Sequence, residues 1–480
     1  MSSILRSLCS VIYMDFFDDS SLNKDASRVL VELVSRINLN FELLMNNLGH
    51  SPTHSHLKIR GPCRSQIEMN FLSLDDRIPH NHKARAVWDF VEEMDISVLY
   101  ETIQSFEGSS GRKATSPKVF FALWLYAITE GTVSARKIAR ECLENDAYRW
   151  IAGGIGVNRN NLASFRATHP SSFQRLLTES LAVMVKGGVL GEEDFSQDGT
   201  RIKAAAGFAT FRSEGTINEV QASISKLIKE ITKAERKAEK GGERAVLARQ
   251  KAHAQRRLEK ARQAANELKK HKETLTENAK KNHEGSRLAK RLDRAKASLV
   301  DPEARKMKMG DGGFRIAYNL QFATGVKSRA IYGVSVVNSY DQGTMTPMIS
   351  QVMHRLSYLN FKAPEHWLAD AAYSYKNELN AAYALYPDLK IVAAPSQELE
   401  VAKKIKRTDS EAVKRWRRSI GTEKFKEIYA QRCSTAEFSN MQTKAKRLGE
   451  LLIRGIPKVT SMCLLHAIAF NMMRYWDLLA

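Results

Sequence analysis

Two neighbouring stretches, RIAYNLQFATG (315–325) and RAIYGVSVVNS (329–339), decide the fold of this chain. In each of them apolar and polar residues alternate, which is the pattern of a β-strand. Only a short turn separates the two stretches. We therefore predict that they pair as a β-hairpin.

The segments around this hairpin alternate between strand and helix. Residues 191–213 carry a strand pattern ahead of it. The predicted order after it is a helix (344–359), a short buried strand HWLAD (366–370), a helix (376–385), a strand KIVAAP (390–395) and two C-terminal helices (about 435–452 and 458–477). A hairpin followed by strand–helix–strand order predicts a mixed α/β sheet flanked by helices, built from 191–213 and 301–480.

Residues 75–190 are a predicted all-α region of short helices joined by tight turns. Ser116 followed by Pro117 marks one helix start and Ser134 marks another. Basic side chains are spread over these helices: Arg136, Lys137, Arg140, Arg149, Arg159 and Arg166. The pattern fits either a helix-turn-helix-like DNA-binding domain or a plain helical bundle with a solvated basic face. Residues 1–74 form a poorly patterned N-terminal extension.

Residues 214–300 form an insertion with a heptad pattern. Apolar residues recur at alternating steps of three and four: Ile217, Val220, Ile224, Leu227, Ile231, Ala234 and Ala238. Gly241 and Gly242 interrupt the pattern, which then resumes. We predict an antiparallel coiled-coil hairpin that turns at the two glycines.

The insertion also concentrates positive charge. Residues 221–300 contain 23 Lys and Arg against 10 Asp and Glu, a net charge of +13 out of +21 for the whole chain. A charged helix pair of this kind serves either as a soluble spacer or as an arm that contacts phosphates.

Composition bounds the class of protein. The 480 residues include 74 Lys and Arg against 53 Asp and Glu, which predicts a polyanionic partner, most often nucleic acid. A 43% apolar share excludes a wholly disordered chain. No apolar run reaches the ~18 residues of a membrane helix, so we predict no membrane partner. Scattered cysteines without a CxxC pair exclude a disulfide scaffold and fit a reducing cytosol: Cys9, Cys63, Cys142, Cys433 and Cys463.

Two acidic residues lie at informative places near the predicted strands. Asp198, in FSQDGTRIKA (195–204), belongs either to a strand of the sheet or to an Asp-Gly hairpin turn. Asp370 ends the strand HWLAD, where open α/β sheets place ligands, or else it caps a helix. Both alternatives are open for each residue.

A third acid, Glu437, lies in AQRCSTAEFSN (430–440). With Ser434 three residues earlier it fits a capping box at a helix start. Alternatively it faces a functional site together with Arg432 and with Lys444, which follows two helical turns later.

Three carboxylates from separate elements of a basic α/β protein suggest a two-metal site for phosphoryl transfer. Mg²⁺ is a hard cation that prefers oxygen ligands. Two such ions about 3.5–4 Å apart serve the attacking and the leaving oxygen of an in-line displacement. Lys and Arg side chains nearby would hold phosphate or transition-state charge.

From about Leu74 onwards, short motifs in a fixed order resemble those of DDE transposases of bacterial insertion sequences, which have a ribonuclease H-like catalytic domain. DGTRIKA (198–204) is similar to the first-Asp motif of this family. LADAAY (368–373) is similar to the second motif, usually Asp-x-Gly-Tyr, with Ala372 in place of the Gly. The resemblance implies that Asp198 and Asp370 are catalytic metal ligands.

The third motif resembles the Tyr-Arg-Glu-Lys signature of the same family. Tyr429 and Arg432 have the expected spacing, as do Glu437 and Lys444. Four residues rather than three separate Arg432 from Glu437. The resemblance implies that Glu437 is the third metal ligand and that Tyr429, Arg432 and Lys444 are catalytic-site residues.

The resemblance implies a transposase that binds the terminal inverted repeats of its insertion sequence. It would use two Mg²⁺ (or Mn²⁺) ions to hydrolyse a phosphodiester and to join the freed 3′-hydroxyl to target DNA. Two DNA ends must be cut together, which implies a homodimer or a larger synaptic complex in the bacterial cytoplasm, associated with the nucleoid. The alternatives are a ribonuclease H-like nuclease without strand transfer and a non-enzymatic coiled-coil protein that binds nucleic acid.

A shared metal site requires the three carboxyl groups to converge. We expect Asp198, Asp370 and Glu437 to cluster within roughly 8 Å, the span that two ions about 3.5–4 Å apart would need. We expect other acids near the motifs to be more replaceable: Asp311, Asp341 and Glu378.

Residues 1–68 lie outside the resemblance, and we predict that they are dispensable. A shortened chain that starts at Met69 should fold and bind DNA like the full chain, because the recognisable pattern begins after this residue. Cooperative thermal unfolding and DNA binding of the two chains test this. An insoluble short chain, or one without a cooperative transition, would show that the extension is part of the core.

Overall fold

The computed structural model describes residues 71–101, 103, 114–168, 170–238, 241–281, 285–449 and 451–480. Contacts group Leu72–Ala480 into one unit. Almost all of the predicted extension, including Met69, lies outside the described residues.

Eight strands are described in chain order: β1 (Phe195–Lys203), β2 (Phe211–Arg212), β3 (Ala297–Ser298), β4 (Arg305–Lys308), β5 (Phe314–Gly325), β6 (Ile331–Val337), β7 (His366–Ala369) and β8 (Lys390–Ala393). Fifteen helices are described in the same parts of the chain: α1 (Lys83–Glu93), α2 (Pro117–Thr129), α3 (Ala135–Glu144), α4 (Asp146–Ala152), α5 (Arg159–Thr168), α6 (Pro170–Lys186), α7 (Glu214–Lys237), α8 (Gly241–Lys281), α9 (Gly285–Asp293), α10 (Met345–Tyr358), α11 (Lys376–Leu385), α12 (Leu399–Lys403), α13 (Glu411–Ser419), α14 (Glu423–Ala445) and α15 (Ile456–Leu479).

Six of the strands form one mixed sheet. The long strand β5 pairs antiparallel with β1 along one edge and with β4 and β6 along the other. Beyond β1, β7 and then β8 continue the sheet in parallel. The predicted hairpin is β5 with β6, and α10, β7, α11 and β8 follow in the predicted order. The prediction of a mixed α/β fold is confirmed.

The helix that carries the third motif is longer than predicted. α14 begins after Thr422, whose side chain accepts a hydrogen bond from the Phe425 amide, rather than near residue 435. Ser434 therefore lies inside the helix, where its hydroxyl donates to the Gln431 carbonyl. The capping-box interpretation of Ser434 and Glu437 is wrong, because the helix has no N-terminus there.

The N-terminal helices begin and end largely where the sequence places them. Ser134 caps α3 by accepting a hydrogen bond from the Lys137 amide. Gly131 and Gly153 adopt positive φ angles at the ends of α2 and α4, a conformation that favours glycine. Buried residues of these helices form one continuous cluster with β5, β6 and α15.

α15 lies at the centre of this cluster. It contacts α2, α5, α6, β6 and α14. Its length and composition would allow it to cross a membrane, which differs from the sequence expectation, but 72% of its most apolar window is buried inside the structure. The apolar length of α15 is therefore explained by its position in the core.

The insertion is a pair of antiparallel helices. Three contacts between α7 and α8 fix their direction: Glu214 with Lys272, Gln221 with the Ala261 carbonyl, and Glu235 with Lys251. α8 begins at Gly241, so the two glycines open the second helix instead of forming the turn. β2 and β3 pair at the base and bring the two ends of the insertion together.

The seam between α7 and α8 follows part of the predicted heptad. Ile217, Ile224 and Ile231 are buried at intervals of seven residues. Leu227 is 41% exposed, whereas Ile228 packs against the buried cluster. The prediction of Leu227 as a seam residue is wrong, because Ile228 occupies the position between the buried isoleucines.

Candidate active site

Asp198 lies in the middle of β1 and not in a turn. Asp198 and Gly199 pair with Phe322 and Gln321 of β5, so the hairpin-turn alternative is wrong. On the other side of β1, Ser196 pairs with Leu368 of the parallel strand β7. Two residues further along both segments, this register brings Asp198 beside Asp370.

Asp370 directly follows β7 and has two roles in the structure. Its Oδ1 accepts a hydrogen bond from the Ala372 amide at 2.7 Å, which caps a short 3₁₀ turn. Its Oδ2 lies 3.8 Å from Nη2 of Arg432. Asp370 therefore both caps the 3₁₀ turn and lies next to Arg432, because it uses a different carboxylate oxygen for each contact.

α14 supplies both side chains that hold Asp198. Arg432 Nη2 donates to Asp198 Oδ1 at 3.1 Å, and Asn440 Nδ2 donates to Asp198 Oδ2 at 2.8 Å. The two residues are eight positions apart and so lie on one face of the helix. Beside this face, Thr324 of β5 donates to Ser439 and ties the helix to the sheet.

The positive charge of Arg432 offsets part of the negative charge of this site. Burial raises the pKa of Asp198, and the neighbouring Arg432 opposes this shift, while Asp370 adds to it. Burial also disfavours the charged form of Arg432, but the neighbouring Asp198, Tyr429 and Asp370 together raise the pKa of Arg432. The guanidinium therefore stays charged and partly neutralises both carboxylates.

The other predicted residues on α14 divide between the site and the solvent. Tyr429 stacks on Phe425 with ring centroids 5.9 Å apart, and burial, together with the nearby Asp370, raises its pKa. Glu437 and Lys444 are exposed. In the described parts of the chain, their side chains make no hydrogen bond or ion pair with Asp198 or Asp370.

The structure thus brings together Asp198, Asp370 and Arg432, with Tyr429 next to them. Among the described residues, no group of three or more His, Cys, Asp or Glu side chains is placed to hold a metal ion. The convergence of Glu437 with the two aspartates stays a prediction of the resemblance.

The pair of aspartates nevertheless fits a hard divalent cation. Both donors are carboxylates, the ligand type that Mg²⁺ and Mn²⁺ prefer. The Asp370 side chain is 38% exposed, which leaves a path from solvent to the pair. Arg432 contributes one positive charge against the two carboxylates, so their negative charge is only partly neutralised.

A buried polar network lies behind Asp198. Asp341 accepts hydrogen bonds from Asn319 Nδ2 at 2.9 Å, from Gln321 Nε2 at 2.8 Å and from Arg201 Nη2 at 3.0 Å. Tyr373, which follows Asp370 by three residues, donates to Gln321 Oε1. The network connects β1, β5 and the end of β7, and so fixes the strands that carry both aspartates.

Sequence reasoning missed Asn440 and this network. One signal was present in β5, where Asn319 and Gln321 are polar residues two positions apart in the middle of the strand. They face the same side of the sheet, and a buried polar pair requires partners. The spacing of Arg432 and Asn440 was a second signal, because residues eight positions apart lie on the same face of a helix.

Two of the acids expected to be replaceable are buried. Asp341 and Glu378 are each 7% exposed. Glu378 accepts a hydrogen bond from the Met345 amide at the start of α10. Loss of either carboxylate would leave its hydrogen-bond donors without a partner. We therefore no longer expect the protein to tolerate substitution of Asp341 or Glu378. Asp311 is exposed and pairs with Arg315, so it remains a suitable control.

A cavity of about 280 Å³ opens elsewhere, beside β8. Its lining includes Leu379, Trp416 and Phe425, and none of the six predicted site residues. Enclosed, mostly apolar cavities suit small molecules. The aspartate pair lies outside this cavity.

We predict that Gly199→Ala destabilises the protein by about 1–3 kcal/mol, the usual cost of overpacking. A Cβ at this position would collide with Gln321 Nε2 and Asp341 Oδ1 of the polar network. Denaturant unfolding measures the effect. Gly207→Ala is the matched control, because its Cβ would meet nothing within 4 Å. Equal stability of the two variants would contradict the tight fit behind Asp198.

Two parts of the chain match models of known families. Residues 72–167, which include α1 to α4 and nearly all of α5, match a family described as Transposase domain (DUF772). Residues 396–476, which include Tyr429, Arg432, Glu437 and Asn440, match the Transposase DDE domain. Comparison with curated proteins and with solved structures gave no match. Two segments of the chain are therefore similar to transposase domains, and these similarities support a DDE transposase of an insertion-sequence type.

Proposed function

We propose that this protein binds the terminal inverted repeats of its insertion sequence, cleaves DNA in a metal-dependent reaction and transfers the cut strand to target DNA. One observation carries the proposal. Asp198 on β1 lies beside Asp370, which directly follows the parallel strand β7, and both lie under the helix of the segment that matches a transposase DDE domain. The mixed sheet flanked by helices supports a ribonuclease H-like catalytic domain.

Asp198 and Asp370 are the proposed metal-holding residues of this chain, with Glu437 as the third acid implied by the resemblance. Two Mg²⁺ or Mn²⁺ ions, when bound, polarise the phosphoryl oxygens and serve the attacking and leaving oxygens. Glu437 lies on α14, less than one turn from Asn440, which contacts Asp198.

The other residues of the site position and neutralise charge. Arg432 fixes one oxygen of Asp198 and balances both aspartates, so the strands tolerate two adjacent carboxylates. Its Nε is buried without a hydrogen-bond partner in the described parts of the chain. Lys444 is exposed on the same helix, two turns after Glu437, and we assign it to a DNA phosphate.

The helices before the sheet are the proposed DNA-binding domain. Arg136, Lys137 and Arg140 lie on α3, and Arg159 lies at the start of α5, where its side chain is exposed. Arg166 is buried and donates to the Val133 carbonyl, so it has a structural role. Exposed cations fit both the DNA-binding alternative and a plain helical bundle with a solvated basic face. The transposase-domain match over residues 72–167 supports the DNA-binding alternative.

Cleavage at both ends of one element requires two active sites to act together. A homodimer or a larger synaptic assembly on DNA is therefore part of the proposal, with the bacterial nucleoid as its place of action. A ribonuclease H-like nuclease without strand transfer would share the same aspartate pair. Detection of joined DNA products separates the two functions.

We predict that Asp198→Asn and Asp370→Asn each reduce Mg²⁺-dependent cleavage of terminal-repeat DNA by at least about a hundredfold. Asparagine keeps the size and polarity of aspartate but removes the charge that a cation needs. Binding of the same DNA should persist, since phosphate and base contacts lie elsewhere. Gel-based cleavage and binding assays measure both. Asp311→Asn is the control, and cleavage that survives in Asp198→Asn would refute the proposed chemistry.

We predict that the insertion contributes electrostatically to DNA binding. Arg249, Arg256 and Arg257 are exposed on α8. Changing all three to Gln should flatten the plot of log affinity against log salt by about 0.9 for each DNA phosphate that these side chains neutralise. The charge-matched triple at Lys404, Lys406 and Arg407, also exposed, is the comparison. If the salt dependence of DNA binding does not change when Arg249, Arg256 and Arg257 are replaced, the insertion acts as a spacer.

A further inference from the structure

The carboxamide of Asn440 is incompletely satisfied at the centre of the site. The residue is only 9% exposed, and its Nδ2 donates to Asp198 Oδ2 at 2.8 Å. Its Oδ1 is buried and has no hydrogen-bond partner among the described residues. A buried acceptor without a hydrogen-bond partner lowers the stability of the folded protein. We therefore expect a ligand to bind this oxygen.

Turning the amide over does not remove the problem. The reversed orientation would set Asn440 Oδ1 against Asp198 Oδ2, and both atoms only accept hydrogen bonds when the carboxylate is ionised. The observed orientation is therefore fixed by Asp198. The free oxygen belongs to a group that already contacts the proposed metal-holding carboxylate.

The chemistry of the surroundings identifies the class of ligand. The carboxylates of Asp198 and Asp370 lie at this site, and together they attract a cation. Carboxylates and side-chain amide oxygens are the usual protein ligands of hard divalent cations. An anion would need a donor at Asn440, and the amide nitrogen already donates to Asp198.

We propose that Asn440 Oδ1 is a ligand of the divalent cation that Asp198 and Asp370 hold, a role that rests on the proposed function. Asn440 then does two things with one side chain. Its nitrogen fixes one oxygen of Asp198, and its oxygen adds a neutral ligand to two charged ones. Glu437, exposed three residues earlier on α14, makes no ion pair or hydrogen bond to Asp198 within the described parts of the chain.

Metal affinity of the full chain tests this role without any measurement of activity. Mn²⁺ binding is followed by isothermal titration calorimetry and by electron paramagnetic resonance of the free ion. Asn440→Ala should weaken Mn²⁺ binding by about tenfold or more, the scale for loss of a residue that supports a metal site. Asn161→Ala, an exposed asparagine on α5, is the matched control and should leave the affinity unchanged. Thermal unfolding without metal verifies that each variant is folded.

Asn440→Asp separates a ligand from a residue that only orients Asp198. An aspartate offers oxygen ligands but cannot donate a hydrogen bond to Asp198. If Asn440 is a ligand, the variant binds Mn²⁺ at least as tightly as the natural protein. If Asn440 only orients Asp198, the variant binds as weakly as Asn440→Ala, and the inference is overturned. Unchanged affinity in Asn440→Ala overturns it as well.

The DNA cleavage assay shows whether a negative result concerns the role of Asn440 or the proposed transposase function. Tight Mn²⁺ binding that depends on Asn440, in a protein that does not cleave DNA, would support the metal ligand and reject the transposase chemistry. DNA cleavage by a protein whose Mn²⁺ affinity does not change in Asn440→Ala would support the transposase chemistry and reject Asn440 as a metal ligand. No Mn²⁺ binding by the natural protein would overturn both.

Discussion

The hydrogen bonds to the buried carboxylate of Asp198 are the constraint on which the rest of the site depends. A carboxylate in the middle of a strand needs partners, and both of its oxygens receive a donor from α14. Arg432 and Asn440 can supply them together only if one face of α14 lies across β1 and β5. The helix is accordingly continuous from Glu423, well before the third motif begins.

The two faces of β1 are used differently at Asp198 and Gly199. Asp198 points to α14, while Gly199 leaves room on the opposite face for Asp341 and Gln321. Adjacent residues of a strand face opposite sides, so an Asp-Gly pair is the combination that places an acid on one face and space on the other. The same dipeptide in isolation is a common turn, which is why its sequence alone left two interpretations.

Charge is separated in space along this chain. The aspartate pair is partly neutralised by Arg432 within the sheet, whereas exposed cations lie on the early helices and on the insertion. A strongly positive site would compete with a catalytic cation, and a neutral surface would not hold a polyanion. The arrangement suits the proposed DNA substrate, because binding charge and metal-holding charge do not cancel each other.

Local sequence patterns were enough to predict the mixed α/β class, the β5–β6 hairpin and the order of elements up to β8, because alternation and helical periodicity are local properties of the chain. It also pointed to Asp198, Asp370 and Arg432 through their motifs. The folded chain was needed to show that Asn440 donates a hydrogen bond to Asp198, that Asp341 accepts the hydrogen bonds of a buried network and that Leu227 lies outside the helix seam. These contacts join residues up to 242 positions apart, and local patterns carry no information about which distant side chain completes a buried hydrogen bond.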